Sequence, residues 1–332
     1  MRKFVFTCGD INGIGPEIVI KTLNRIYRNK NTCIYFVCPS NVFSETIRLI
    51  KPKFKYEIVK KLDKSSIAPV QVIDIGNSRI TPGKPTAASG KTSFESIKHA
   101  FELTSQKLAD ALITAPISKT AFNLAGISFP GHTELLAEWS CSKNFVMMFL
   151  SKNMRAALLT IHHPIKKISQ LLTKEHLRKS LDTITLSLKN DLNIPHPRIA
   201  VLGLNPHAGE NGLIGDEEEK IIKPLIKTFN RNIEGPFSPD AFFASKKYKD
   251  FDLILGMYHD QVLIPFKMIN FSSGVNFTAG LNIVRTSPDH GVAYDIAWKN
   301  RADEGSIFEA YKYARLISFN RKKNEKNKNK TV

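Results

Sequence analysis

The chain predicts an α/β fold built on a largely parallel sheet. Two observations carry that expectation. Short apolar segments rich in β-branched and aromatic residues alternate with helical stretches along the whole chain. The chemically suggestive polar residues fall directly after the apolar segments, which is where open α/β sheets place their sites. With 332 residues the chain is long enough for two domains or one large one.

The elements follow in order. Residues 3–8 (KFVFTC) read as a buried strand. GDINGIG makes a tight turn, and Pro16 stands where a first helical residue belongs, with Ile18, Ile20 and Leu23 after it. Residues 33–38 (CIYFVC) and 70–75 are further strands. Residues 93–109 form a helix whose apolar face carries Ile97, Ala100, Phe101 and Leu108. A strand at 111–114 and a helix at 119–125 follow. Residues 146–150, 156–161, 198–202 and 253–257 repeat the strand pattern. No internal repeat and no Pro/Gly/Ser linker divides the chain, so two lobes would require the backbone to pass between them more than once.

Composition narrows the function. Apolar residues make up 42% and charged residues 23%, ordinary values for a soluble globular protein, which excludes a mostly disordered chain. Apolar runs as short as residues 145–150 exclude a membrane-spanning helix. The start MRKFVFTCGD is too short for a signal-peptide core, so the expected location is the cytoplasm. Cys8, Cys33, Cys38 and Cys141 match no zinc or redox spacing and read as reduced thiols. The net charge is +18, of which residues 321–332 supply +5 as a basic, disordered tail. The remaining lysines are scattered and carry no aromatic-plus-basic signature, so neither nucleic acid nor membrane is expected as a partner. An anionic, phosphate-bearing substrate accounts for the charge more economically.

Three strand segments end in histidine: His162 (with His163) after ALLTI, His207 after IAVLGLNP, and His259 after LILGMY. Neutral imidazole suits zinc and other transition metals, and three protein ligands leave positions open for substrate. A single histidine at a strand end is more often a hydrogen-bonded loop residue than a ligand, and it is the matching position of all three that brings the metal reading level. Asp260, beside His259, reads as a ligand, a partner of the histidine or a base. The GDINGIGPE loop reads as a tight strand–helix turn before it reads as a phosphate cradle. APISK is either an anion site or a capped helix start, and Thr133 in FPGHTE could cap the next helix. Lys267, Asn276 and Arg285 stand among apolar neighbours. An arginine after the strand-like LNIV needs an anion, from the substrate or from an internal salt bridge.

These segments together resemble the 4-hydroxythreonine-4-phosphate dehydrogenase family of pyridoxal phosphate biosynthesis. The motifs are GDINGIGPE (9–17), LITAPISK (112–119), GISFPGHTE (126–134), TIHHP (160–164), GLNPHAGE (203–210), MYHDQ (257–261), GVNFTAGL (274–281) and RTSPDHG (285–291), spread over residues 9 to about 305. GLNPHAGE and MYHDQ, in that order, are the most specific. The chain departs from the family pattern at Asn12 and at Trp298.

The resemblance implies two α/β/α lobes with a cleft between them, like the isocitrate and isopropylmalate dehydrogenases. The lobes would be residues 1–125 plus 275–320 and residues 126–274. It implies a homodimer sharing its active sites. It also implies a divalent metal (zinc, with magnesium or cobalt as alternatives) on His162, His207 and His259, one of them from the neighbouring subunit. His132, Thr133, Lys267, Asn276 and Arg285 would bind substrate, His290 and Gly291 would face NAD or NADP, and Asp260 would serve catalysis. The reaction implied is metal- and NAD(P)-dependent oxidation of 4-phosphooxy-L-threonine at its 3-hydroxyl, then decarboxylation to 3-amino-2-oxopropyl phosphate. Alternatives are a same-family dehydrogenase of a phosphorylated sugar acid, such as 4-phospho-threonate or -erythronate, and a metal-dependent phosphohydrolase.

Overall fold

A computed structural model describes all residues except 30, 64, 130, 230, 231, 271 and 329–332. In chain order the elements are β1 (Arg2–Thr7), α1 (Gly15–Ile26), β2 (Thr32–Val37), α2 (Ser40–Leu49), β3 (Tyr56–Val59), β4 (Val70–Ile73), α3 (Ala87–Ser105), β5 (Ala111–Ile113), α4 (Lys119–Leu124) and α5 (His132–Trp139). There follow β6 (Val146–Leu150), β7 (Arg155–Leu158), α6 (Ile168–Leu171), α7 (Lys174–Asn190), β8 (Ile199–Leu202), α8 (Lys223–Ile226), β9 (Ile233–Phe237) and α9 (Pro239–Ala244). The chain ends with β10 (Leu253–Gly256), α10 (His259–Asn270), β11 (Val275–Ala279), β12 (Arg285–Pro288) and α11 (Gly305–Lys328).

Two compact units result: residues 1–142 with 281–318, and residues 143–280 with 319–332. In the first, six strands in the order β3-β4-β2-β1-β5-β12 all pair in parallel. Phe4, Val5 and Phe6 of β1 are fully buried, as are Phe36 and Val37 of β2, because helices cover both faces of a parallel sheet. The helix expected over 93–109 starts earlier, at Ala87. Thr86 and Ser89 close a capping box there, and Ser89 is itself buried. The boundary expected at residue 125 lies at 142. Trp139 of α5 packs edge-on against Phe94 and tilted against Phe101 of α3, at 5.5 and 5.4 Å between ring centroids, and holds 126–142 in the first unit.

In the second unit the order is β11-β6-β7-β10-β8-β9. β7, β10, β8 and β9 are parallel, whereas β6 is antiparallel to both β7 and β11. Pairing with β6 is what brings 275–279 here rather than to the first unit. The core on one face joins Phe149, Leu158, Leu202, Ile254 and Phe251 to Val262 and Phe266 of α10.

The tail expected to be disordered over 321–332 is helical as far as Lys328, and residues 329–332 lie outside the described residues. The reason is a buried carboxylate at the end of α7. Arg321 donates to Asp191 from Nε at 2.7 Å and from Nη2 at 3.1 Å. Asn320 and Asn324 donate to the carbonyls of Asp191 and Asn190, which α7 leaves open at its C-terminus.

Candidate active site

The three histidine-bearing strand ends are neighbours. β10 lies between β7 and β8, all three run parallel, and His162, His207 and His259 follow their carboxyl ends. The first strand stops at Leu158. Leu159 and Thr160 continue alongside the end of β10, their N–H groups donating to the Gly256 and Met257 carbonyls and Thr160 Oγ1 donating to the Met257 carbonyl at 2.7 Å. His162 and His259 approach to 6.4 Å between ring centroids. The Nδ1–H of His259 donates to Asp260 Oδ1 at 2.6 Å, which leaves Nε2 as the nitrogen available to a metal. Of the roles open to Asp260, partner of the histidine is the one this geometry displays. His207 is exposed.

The donor set suits a divalent metal: three imidazoles on one rim, one already oriented by a carboxylate. Among the described residues of a single chain, no group of three histidine, cysteine or acidic side chains closes to metal-binding distance.

His207 sits in an unusual turn. Residues His207, Ala208, Gly209, Glu210, Asn211 and Gly212 all have positive φ, from 43° to 92°. Four of these carry side chains, and each left-handed residue of that kind costs about 1 kcal/mol or more. The surrounding structure must therefore dictate the turn.

In the first unit Arg285 opens β12 rather than following a strand. It is 2% exposed, and its Nε and Nη2 donate to Thr114 Oγ1 at 3.1 and 2.8 Å. Burial pushes its guanidinium down to about 9, while the Glu134 carboxylate pulls the other way. Both readings of this arginine thus have a physical basis: an internal acid is near, and a substrate anion would find a desolvated cation.

His132 is the first residue of α5. Burial and the Arg285 charge hold its imidazole well below the ordinary histidine range, so it is neutral at pH 7. Its Nε2 is buried and makes no hydrogen bond among the described residues. Asn276 Oδ1, on β11 of the second unit, is buried and unbonded in the same sense. Buried polar atoms left open in this way are what a ligand-facing residue leaves behind when the ligand is absent. Thr133 is buried inside α5, whose cap position is Gly131, so it does not cap the helix. Lys267 is exposed on the last turn of α10. His290 and Gly291 follow β12, and no atom lies within 4 Å of where a Cβ on Gly291 would be.

The GDINGIGPE loop is a packing turn. Its N–H groups are taken internally: Asp10 by the Pro116 carbonyl, Asn12 by Asp10 Oδ1, Gly13 by the Asp10 carbonyl and Ile14 by the Val292 carbonyl. A Cβ on Gly9, Gly13 or Gly15 would lie 2.3–2.7 Å from backbone oxygen. The loop therefore cradles no phosphate on those amides. Ser118 caps α4 by accepting from the Ala121 N–H at 3.1 Å, so APISK is a capped helix start.

Two groups at the site escaped sequence reasoning. Thr114 ends the LITAPISK strand and receives Arg285. Glu218 is a fully buried acid under the His207 turn. The strand-end position of Thr114 was a usable signal; nothing local marks Glu218.

Residues 29–314 match the family model described as pyridoxal phosphate biosynthetic protein PdxA. A 4-hydroxythreonine-4-phosphate dehydrogenase of Sulfurihydrogenibium sp. is 39% identical over 326 residues, 97% of this chain and all of that one. A D-threonate 4-phosphate dehydrogenase of Salmonella typhimurium is 35% identical over 96% of this chain and 99% of its own. The crystal structure of 4-hydroxythreonine-4-phosphate dehydrogenase from Klebsiella pneumoniae superimposes with a TM-score of 0.82 at 33% identity, covering 96% of this chain and all of that one. Among the described residues no helix is long and apolar enough to cross a membrane.

Proposed function

The chain belongs to the pyridoxal phosphate biosynthetic protein PdxA family, and from that premise we propose that it is a cytoplasmic, homodimeric enzyme converting 4-phosphooxy-L-threonine and NAD(P)⁺ to 3-amino-2-oxopropyl phosphate, CO₂ and NAD(P)H. Within that family, the observation that supports a metal-assisted reaction is the set of three histidines at the ends of the adjacent strands β7, β10 and β8. His162, His207 and His259 are assigned to a divalent metal, zinc in the first instance, and a second copy of the chain completes the set. When bound, the metal supplies a Lewis acid for the substrate 3-hydroxyl and the nicotinamide supplies the hydride acceptor.

The chain's own residues do the rest. Asp260 holds the proton on His259 Nδ1 through Oδ1, and its second oxygen is the candidate acceptor for the hydroxyl proton. Arg285, a desolvated cation, pairs with a substrate carboxylate or phosphate in a geometry that Thr114 fixes from the other side. His132 is kept neutral beside it, so its open Nε2 hydrogen-bonds substrate without adding charge. Asn276 Oδ1 accepts a substrate hydroxyl or ammonium proton, Thr133 is a further substrate-binding candidate, and Lys267 attracts the phosphate. His290 and Gly291 are the cofactor-facing candidates.

A second reading has an observation of its own. The 35% identity to a D-threonate 4-phosphate dehydrogenase makes that sugar-acid phosphate the competing substrate. The test follows absorbance of reduced nicotinamide with metal-replete protein, each substrate in turn, and NAD⁺ or NADP⁺, before and after chelation. Reduction with 4-phosphooxy-L-threonine that chelator abolishes and metal restores is the expected result. A signal only with D-threonate 4-phosphate moves the chain to the second reading, and no signal with either defeats both.

A further inference from the structure

The left-handed turn that carries His207 rests on one buried acid. Glu218 is fully buried and opens a π-helical turn, Glu218–Ile222. Its Oε1 accepts the backbone N–H of Leu204 at 2.7 Å and of Asn205 at 2.8 Å. Its Oε2 accepts Asn205 Nδ2 at 2.9 Å. Glu217 reinforces the arrangement: its Oε2 takes the same Nδ2 at 2.7 Å, and its Oε1 accepts Ser169 Oγ at 2.6 Å.

Two glycines leave room for the carboxylate. A Cβ on Gly209 would stand 2.7 Å from Glu218 Oε2, and one on Gly203 would stand 3.1 Å from Oε1. The acid thus contacts both ends of the segment that bears His207, at Leu204–Asn205 before it and at Gly209 after it. Among the described residues three donors and no acceptor converge on it. A carboxylate satisfies all three, whereas an amide in its place must turn an NH₂ toward at least one of those donors.

We propose that Glu218 is a positioning residue: its carboxylate, buried beneath 203–209, fixes the left-handed turn and so aims His207 at the metal. The proposal rests on the reading of His207 as a metal ligand. It places a residue of otherwise structural appearance in the metal's outer shell, contacting neither metal nor substrate.

The test uses the full chain, stripped with chelator and titrated with Co²⁺ alone while the visible d–d bands are recorded. Wild type, Glu218→Gln and His207→Ala are compared, with far-UV circular dichroism and the metal-free melting temperature as fold controls. The expected result for Glu218→Gln is Co²⁺ affinity weakened about 10- to 100-fold, with altered band positions and intensities, while the circular dichroism spectrum stays that of wild type. Wild-type affinity and bands in Glu218→Gln, with loss in His207→Ala, overturn the positioning role alone. Wild-type binding by His207→Ala overturns the ligand reading and this inference with it. Should Glu218→Gln not fold, Asn205→Ala removes only the Nδ2 limb. Altered Co²⁺ bands there support the proposal and unaltered bands refute it.

Discussion

Tyr294→Phe probes the buried carboxylate of Asp10. Tyr294 Oη donates to Asp10 Oδ2 at 2.8 Å. Ser89 Oγ donates to the same oxygen at 3.1 Å, and the Asn12 N–H donates to Oδ1 at 2.9 Å. Asp10 is fully buried, and burial pushes its carboxyl above the usual carboxylate range while these three bonds hold it down. The substitution keeps the ring and deletes one hydrogen bond to the carboxylate. A bond of that kind is worth about 1.5–3 kcal/mol. Taking about 2 kcal/mol, and about 2–4 °C of melting temperature per kcal/mol for a unit of this size, the expected loss is about 4–8 °C. The loss should depend on pH. A carboxyl whose folded pKa lies above its unfolded value contributes most at low pH, and that contribution is lost as pH rises through the folded pKa. Removing Tyr294 raises the folded pKa further, so the variant should fall further below wild type at pH 8 than at pH 5. Thermal denaturation followed by circular dichroism at the two pH values decides it. An equal deficit at both would show that the phenol does not stabilise an ionised Asp10, and the reasoning would fail.

Three more outcomes are expected. His132 is held neutral, with its folded pKa below the unfolded value near 6.5. Native stability should therefore decline as pH drops below about 6.5, and His132→Asn should remove up to about 1.4 kcal/mol per pH unit of that slope; urea unfolding at pH 5.5 and 7.5 would show it, and an unchanged slope would contradict it. Arg321→Ala strands Asp191, whose side chain is 5% exposed against 22% for the arginine. It should cost about 2 kcal/mol, at the low end for a broken buried pair because one partner meets solvent, with Asp191→Asn restoring part of the loss in the double variant; a urea midpoint within error of wild type would rule this out. Gly209→Ala sets a Cβ 2.7 Å from Glu218 Oε2 and 2.8 Å from the Gly215 carbonyl at φ +81°. It should cost about 2 kcal/mol and weaken metal binding together with stability, and a neutral result in both would separate the turn from the site.

The strands buried on both faces were legible because burial writes itself as an uninterrupted apolar run. FVF in β1, VMMFL in β6, IAVL in β8 and LILG in β10 all belong to this class. β3 has three exposed residues out of four, and β9 contains Gly235 and Pro236, so neither presents such a run. The histidines at strand ends, and the motif order that points to the family, are also properties of local sequence. Tertiary structure alone decided which polar groups are satisfied. Asp10 meets Tyr294 across 284 residues, and Arg285 meets Thr114 across 171. The same holds for Asp191 with Arg321 across 130 residues, which turns an apparently solvated basic tail into an ordered helix end. Glu218 reads in sequence as one more acid in EEEK on a helix surface, yet it is buried beneath the turn that presents His207. Periodicity and turn chemistry act over a few residues, whereas a buried donor or acceptor is satisfied by whatever the fold brings beside it.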